Sequence, residues 1–248
     1  VGSAMPWKRA SIARSLKPLR YVFVLAIALG GLAYAIQSGR SLLGPLGLFL
    51  GSWVVMGAVM DLWGRTGRGK DRFGRLTRLP RADWGKMMAH AGLGITMAGV
   101  AGITAWSTDD IRAVKLGESY DVGRYTIQLD DVTRQQGPNY MATIGSVTLF
   151  EDGKEISQLR PEKRFYPVAQ MPTTEAAIDY NLARDVYVVI GDEQDAGGWV
   201  VRTYIKPLTN WIWIGCGLMA LGGLMSLTDR RYRVAAGAAK SARTVPAE

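Results

Sequence analysis

The sequence predicts a membrane α-helical protein of four transmembrane helices, with one mainly-β extracytoplasmic domain inserted before the last helix. Three observations predict it: four apolar runs almost free of charge, one polar interval of alternating residues, and a segregation of charge between them. The mean hydropathy of +0.04 conceals the pattern because it averages unlike parts.

The helices come first. A hydrocarbon core needs about 20 apolar residues at helical rise. The run from Tyr21 to Ile36 falls short, so the first helix takes in residues 19–37 or the bilayer thins around it. The others are expected at residues 42–63, 87–106 and 208–227. Four such runs in 248 residues leave too little polar surface to hide them as core helices of a soluble protein. Trp106 and Trp211 border one end of the last two helices, and Trp63 and Trp84 border the intervening loop, as interface tryptophans do.

Charge sets the orientation. The chain carries a net +9, yet residues 107–207 hold 16 acidic and 11 basic side chains. The positive excess therefore sits in residues 1–20 (Lys8, Arg9, Arg14, Lys17, Arg20), in the loop 64–86, and in the tail (Arg230, Arg231, Arg233, Lys240, Arg243). Four crossings put these three segments on one side, and the positive-inside rule makes that side cytoplasmic. The domain map is then a membrane region 1–106, a periplasmic β-rich domain 107–207, and a final helix with a basic cytoplasmic tail over 208–248. Beyond charge, nothing in these segments points to nucleic acid. The opening Pro6-Trp7-Lys8-Arg9 reads like the exit loop of an earlier helix, which suggests a portion of a longer protein.

Within 107–207, residues 125–129 and 142–150 alternate, and Asp152-Gly153 supplies a hairpin turn into residues 156–159. Residues 186–190 and 199–205 are further strands. About six strands with glycine-rich turns suggest a small antiparallel barrel or sandwich. Between them, Glu162 to Tyr166 is dense in charge and aromatics. It reads equally as a docking surface or as a salt-bridged structural loop.

Candidate chemistry is sparse. Gly64 to Lys70 matches the spacing G-x-x-x-x-G-K, but a membrane helix precedes it and Asp71 stands where the loop needs a hydroxyl for magnesium, so nucleotide binding is set aside. A single histidine and a single cysteine exclude Cys/His zinc clusters. Cys216, inside the fourth helix, reads as a small packing residue. His90 lies about one turn inside the third helix, where an ionisable group costs free energy unless it has a partner or a task. Positions 90, 94, 98 and 102 read His, Gly, Ala, Gly, a stripe that admits a neighbouring helix or a flat macrocycle. Two roles stand open from the residues alone: metal or haem ligand, and interhelical hydrogen bonder.

Several motifs in order resemble the CcmF family of c-type cytochrome biogenesis proteins. They are Pro6-Trp7-Lys8-Arg9-Ala10, residues 159–166, Thr174-Glu175-Ala176-Ala177-Ile178, Arg184-Asp185-Val186-Tyr187-Val188, Lys206-Pro207-Leu208 with Trp211-Ile212-Trp213, and residues 222–232. The resemblance covers essentially the whole chain as the family's C-terminal third. It implies a haem lyase subunit of the bacterial inner membrane, holding a membrane b-type haem and helping join haem to apocytochrome c. It also implies, as partners, a haem chaperone and other maturation subunits. The family's second membrane histidine, an axial ligand of that haem, matches His90, whose spare ring nitrogen would need an acceptor. The family's tryptophan-rich motif and other histidines are absent from this sequence. The chain thus offers one axial ligand, with Met87, Met88 and Met97 poor substitutes for the second, and is expected not to ligate haem alone. The alternative is a non-catalytic membrane scaffold whose β-domain docks assembly partners, with His90 structural. A transporter segment is disfavoured, because Asp61 near a helix end is the only evident intramembrane charge besides His90.

Overall fold

The computed structural model describes residues 19–37, 41–67, 69–195 and 197–229. The basic segments at 1–18 and 230–248, with the motif residues they contain, lie outside the described residues. The chain divides into two compact units, residues 1–105 with 211–248, and residues 106–210.

The first unit is helical: α1 (Arg20–Ile36), α2 (Leu43–Arg65), a short α3 (Arg72–Leu76), α4 (Arg81–Trp106) and α5 (Thr209–Leu227). Three of these, α2, α4 and α5, are long and apolar enough to cross a membrane; α1 is apolar but has 17 residues. Helix α4 begins six residues before the predicted apolar run. Its first turn is polar but well supported, because the buried Asp229 carboxylate accepts from the Ala82 N–H at 3.1 Å and so caps the helix from the far end of the chain. Helix α3 was not expected. Asp71 caps it by accepting from the Gly74 N–H at 3.2 Å.

Small residues make the helix contacts. A Cβ at Gly51 would lie 2.7 Å from the Gly94 carbonyl, and one at Gly94 would lie 2.5 Å from the Gly51 carbonyl, so α2 and α4 touch backbone to backbone. On another face of α4, Gly92 meets the Gly215 carbonyl and Gly85 meets Gly222 of α5. Helix α1 packs on α2 through Gly30 and an aromatic group of Phe23, Phe49 and Trp53 with centroids 5.3–5.8 Å apart. Leucine and valine side chains point outward instead (Leu25, Leu93, Val100, Leu224). This is the arrangement expected when the surroundings are hydrocarbon rather than water.

The second unit is a β-sandwich of ten antiparallel strands: β1 (Thr108–Val114), β2 (Ser119–Val122), β3 (Tyr125–Gln136), β4 (Met141–Glu151), β5 (Lys154–Leu159), β6 (Glu162–Tyr166), β7 (Met171–Glu175), β8 (Ala177–Tyr180), β9 (Arg184–Glu193) and β10 (Trp199–Pro207). One sheet runs β1-β10-β9-β8. The other runs β2-β3-β4-β6-β7, with β5 on the second half of β4. Asp152 and Gly153 turn β4 into β5 with φ of 51° and 78°, the left-handed pair a tight hairpin requires. Residues 162–166, read as a loop, are instead strand β6 of a hairpin with β7. Period-2 alternation buries Ile127, Leu129, Leu149, Val186, Val188 and Val201 between the sheets.

Polar bonds also tie the sheets together. The Tyr120 and Thr203 hydroxyls meet at 2.8 Å in the core, and burial pushes the Tyr120 phenol up from its ordinary value. At the start of β9, the Arg184 side chain is 6% exposed. It pairs with Asp179, donates to the Tyr125 hydroxyl at 3.0 Å, and lies over that ring. Where β10 leaves the sandwich, Leu208 adopts φ 59°. That strained backbone is held by its N–H to the Ala183 carbonyl at 2.9 Å, and by the Thr209 hydroxyl donating to Lys206 O at 2.9 Å.

Candidate functional site

His90 is exposed on the flank of α4 left open between its two helix contacts, in line with Leu93, Val100 and Thr104. Its Nδ1 lies 2.8 Å from the Lys86 carbonyl, four residues earlier. A carbonyl can only accept, so Nδ1 carries the proton and the lone pair of the neutral ring is on Nε2. Nε2 has no hydrogen-bond partner among the described residues. The imidazole is thus oriented through one nitrogen and offers the other outward, the state in which a histidine coordinates a metal.

The turn beneath it is clamped. Lys86 Nζ sits 2.5 Å from Asp61 on α2, Asp61 also accepts from Arg65 Nε at 3.4 Å, and Arg65 Nη1 reaches Asp83 at 2.8 Å. Four alternating charges therefore bolt the last turn of α2 to the first turns of α4. Asp61, noted from sequence only as a charge near a helix end, is the centre of this network.

The small-residue stripe divides. Gly94 is filled by α2, and Gly102 is buried, while His90 alone of the four is exposed. The 3.6-residue period rotates positions 90 and 102 onto different sides of the helix. The close approach this stripe permits is thus used by a helix. The Met88 and Met97 Cβ atoms border these interfaces, Met88 beside Gly222 and Met97 beside Gly51. Cys216 is a free thiol with the Thr96 hydroxyl 4.0 Å away. Among the described residues, no group of three or more His, Cys, Asp or Glu could hold an ion together. Asp71, in the hydroxyl position of the G-x-x-x-x-G-K spacing, is occupied as the cap of α3.

The sandwich carries a second feature. An open cavity of about 640 Å³ has Met141, Phe165 and Pro172 side by side across β4, β6 and β7, with Arg134, Lys163 and Asp192 among its other residues. It lies at the end opposite Thr108 and Pro207, where the chain enters and leaves the sandwich. Lys163 pairs with Asp192 at 2.5 Å and Arg134 with Glu193 at 3.2 Å. Arg164 binds Glu162 at 2.8 Å and Glu175 at 3.5 Å, and the Glu162 carboxylate holds its guanidinium well above the ordinary range. The salt bridges of the structural reading are present, and Met141 and Phe165 are exposed beside them.

Fold and site together define a membrane protein whose glycine-seated helices carry a β-sandwich and one presented imidazole. A family model described as the CcmF C-terminal β-sandwich matches residues 105–207. The chain is 51% identical over 241 residues to the cytochrome c-type biogenesis protein ccl1 of Rhodobacter capsulatus, which covers 97% of this chain and 36% of that protein. It is 39% identical over 239 residues to CycK of Rhizobium meliloti, covering 95% and 35%, and 34% identical over 235 residues to CcmF of Escherichia coli, covering 94% and 35%. The solved structure of a cytochrome c haem lyase, CcmF, shares the fold at a TM-score of 0.66 and 23% identity, over 90% of this chain and 36% of that one. The chain belongs to the CcmF family of cytochrome c-type biogenesis proteins and corresponds to its C-terminal portion. It spans about a third of the length of the relatives it matches.

Proposed function

We propose that this chain is the C-terminal part of a haem lyase subunit in cytochrome c maturation, and that His90 is an axial ligand of a membrane haem b. The observation that carries the reading is the 51% identity to a c-type biogenesis protein along 97% of the chain. The site fits the cofactor. An exposed imidazole with Nδ1–H given to the Lys86 carbonyl has its Nε2 lone pair free for iron. Bound there, haem would supply an iron centre that exchanges single electrons. This chain's residues hold and orient: His90 coordinates, the Lys86 carbonyl fixes the tautomer, and Asp61 with Arg65 and Asp83 restrains that turn. With a single histidine in the sequence, this reading takes the second ligand from outside this chain.

The same reading makes α1 a fourth crossing, the loop 64–86 and the basic termini cytoplasmic, and the sandwich periplasmic. The basic loop and the acidic sandwich support it, since Lys and Arg favour the cytoplasmic side. On this reading the haem chaperone, other maturation subunits and apocytochrome c are the partners. The test is the haem absorbance of the complete protein carrying His90→Ala. Loss of the six-coordinate signal is expected. An unchanged spectrum would favour the second reading, a docking scaffold, for which the cavity beside the exposed Met141 and Phe165 speaks.

A further inference from the structure

Between Gly64 and Lys86 the chain carries eight basic and two acidic residues, and the structure sorts the cations into two groups. Arg65 and Lys86 are taken by Asp61 and Asp83. Arg72 lies over the Trp63 ring at 4.3 Å and donates to the Trp63 carbonyl and the Thr66 hydroxyl. Lys70, Arg78 and Arg81, by contrast, are exposed and have no carboxylate partner among the described residues.

Two features distinguish this segment from an ordinary solvated loop. It is folded, yet it holds an apolar ring outward. Phe73 meets Trp63 edge-on at 5.3 Å, Asp71 caps the turn, and the Trp84 indole donates to Leu76 O at 3.3 Å, while Phe73 remains 75% exposed. An aromatic ring amid cations gains nothing in water and gains burial at a lipid headgroup boundary. The second feature is the placement of Arg78 and Arg81 at the N-terminal end of α4, where the helix itself is positive. The carboxylates there are already engaged, Asp83 with Arg65 and Asp229 with the Ala82 N–H. The helix start keeps a positive surplus that an external anion would offset. Membrane-competent helices flank the loop on both sides, so it sits where a bilayer meets water.

We propose that this loop is a platform for anionic phospholipid headgroups. Lys70, Arg78 and Arg81 meet the phosphate charge, and Phe73 enters the acyl boundary. The proposal is independent of haem, because none of these side chains touches His90.

The test is native mass spectrometry of the complete protein, purified in mild detergent and titrated with phosphatidylglycerol or phosphatidylcholine. The parent should retain phosphatidylglycerol preferentially. The variant K70Q/R78Q/R81Q should lose affinity for it by about fivefold per charge removed, with phosphatidylcholine binding unchanged. F73S should weaken both lipids. Arg72 is left in place to keep the loop folded; should the triple variant fail to fold, R78Q alone, expected at about fivefold, takes its place. A parent with no preference, or a triple variant that keeps it, overturns the proposal. So does displacement of the lipid by inorganic phosphate or duplex DNA, which would reassign the cations to those ligands.

Discussion

The helical unit and the sandwich solve the same packing problem in opposite ways. In the sandwich, large branched side chains fill the interior (Ile127, Leu129, Leu149, Val188) and charged residues cover the outside. In the helical unit, glycine and alanine fill the contacts (Gly51, Gly92, Gly94, Ala101) while leucine and valine face outward. Water explains the first, because burying apolar area there is worth about 25 cal/mol per Å². Hydrocarbon explains the second, because a leucine gains nothing by leaving lipid and helices associate through close backbone fit. One chain thus records two solvents in its core residues.

That contrast can be broken by substitution, most sharply in the sandwich. Leu149 is fully buried, and Leu149→Ala should destabilise the sandwich by about 2–5 kcal/mol, read as a fall in its thermal midpoint within the complete protein. Leu224, 61% exposed on α5, is its control, and Leu224→Ala should leave that midpoint in place. An equal loss from both would mean that α5 does not face lipid. Next comes the small-residue seam. A side chain at Gly94 would collide with the Gly51 carbonyl and Val55, so Gly94→Leu should cost about 1–3 kcal/mol. It should also part α2 from α4, seen as loss of crosslinking between cysteines placed on those helices. A smaller effect is expected at the cap of α4: Asp229→Ala leaves the Ala82 N–H without its acceptor and should cost about 1 kcal/mol, measured as earlier unfolding of the detergent-solubilised protein.

The smallest effect depends on pH. Asp185 is buried at the base of β9, where it accepts from Asn210 at 2.8 Å and from Tyr187 at 3.4 Å. Burial raises its carboxyl above the ordinary value. The folded sandwich then binds this proton more tightly than the unfolded chain, so stability from this group is lost as pH rises through the raised value. Asp185→Asn should therefore stabilise the sandwich at neutral pH, with the gain shrinking as pH falls into the ordinary carboxylate range. Denaturant melts at several pH values would show it. A gain that does not vary with pH would assign the effect to packing instead.

The parts legible in the sequence were those with a strong local period. Residues 125–129 and 142–150 alternate and lie in β3 and β4, the runs 186–190 and 199–205 lie in β9 and β10, and Asp152-Gly153 forms the tight turn expected of it. Strand β2, which buries Tyr120 and Val122, was missed because its four residues are too few to show a period. Strands β1, β7 and β8 were missed because they are polar or exposed over much of their length and ordered by ladder bonds to neighbours. The hairpin at 162–166 escaped for the same reason: charges lie on both faces of β6, and only pairing with β4 and β7 makes it a strand. At the candidate site, the identity of His90 and its place on an apolar helix were readable. The Asp61–Lys86 clamp was not, since 25 residues and a loop separate its partners.

Sequence alone determined the number and kind of apolar runs, the charge asymmetry and the single histidine, because hydropathy, charge and residue identity are properties of the chain itself. Tertiary structure alone decided which glycines touch, that Asp229 caps α4, and that the Lys86 carbonyl turns the ring of His90 so that Nε2 stays free. Those outcomes depend on groups brought together from distant parts of the chain, and no local period encodes such a meeting.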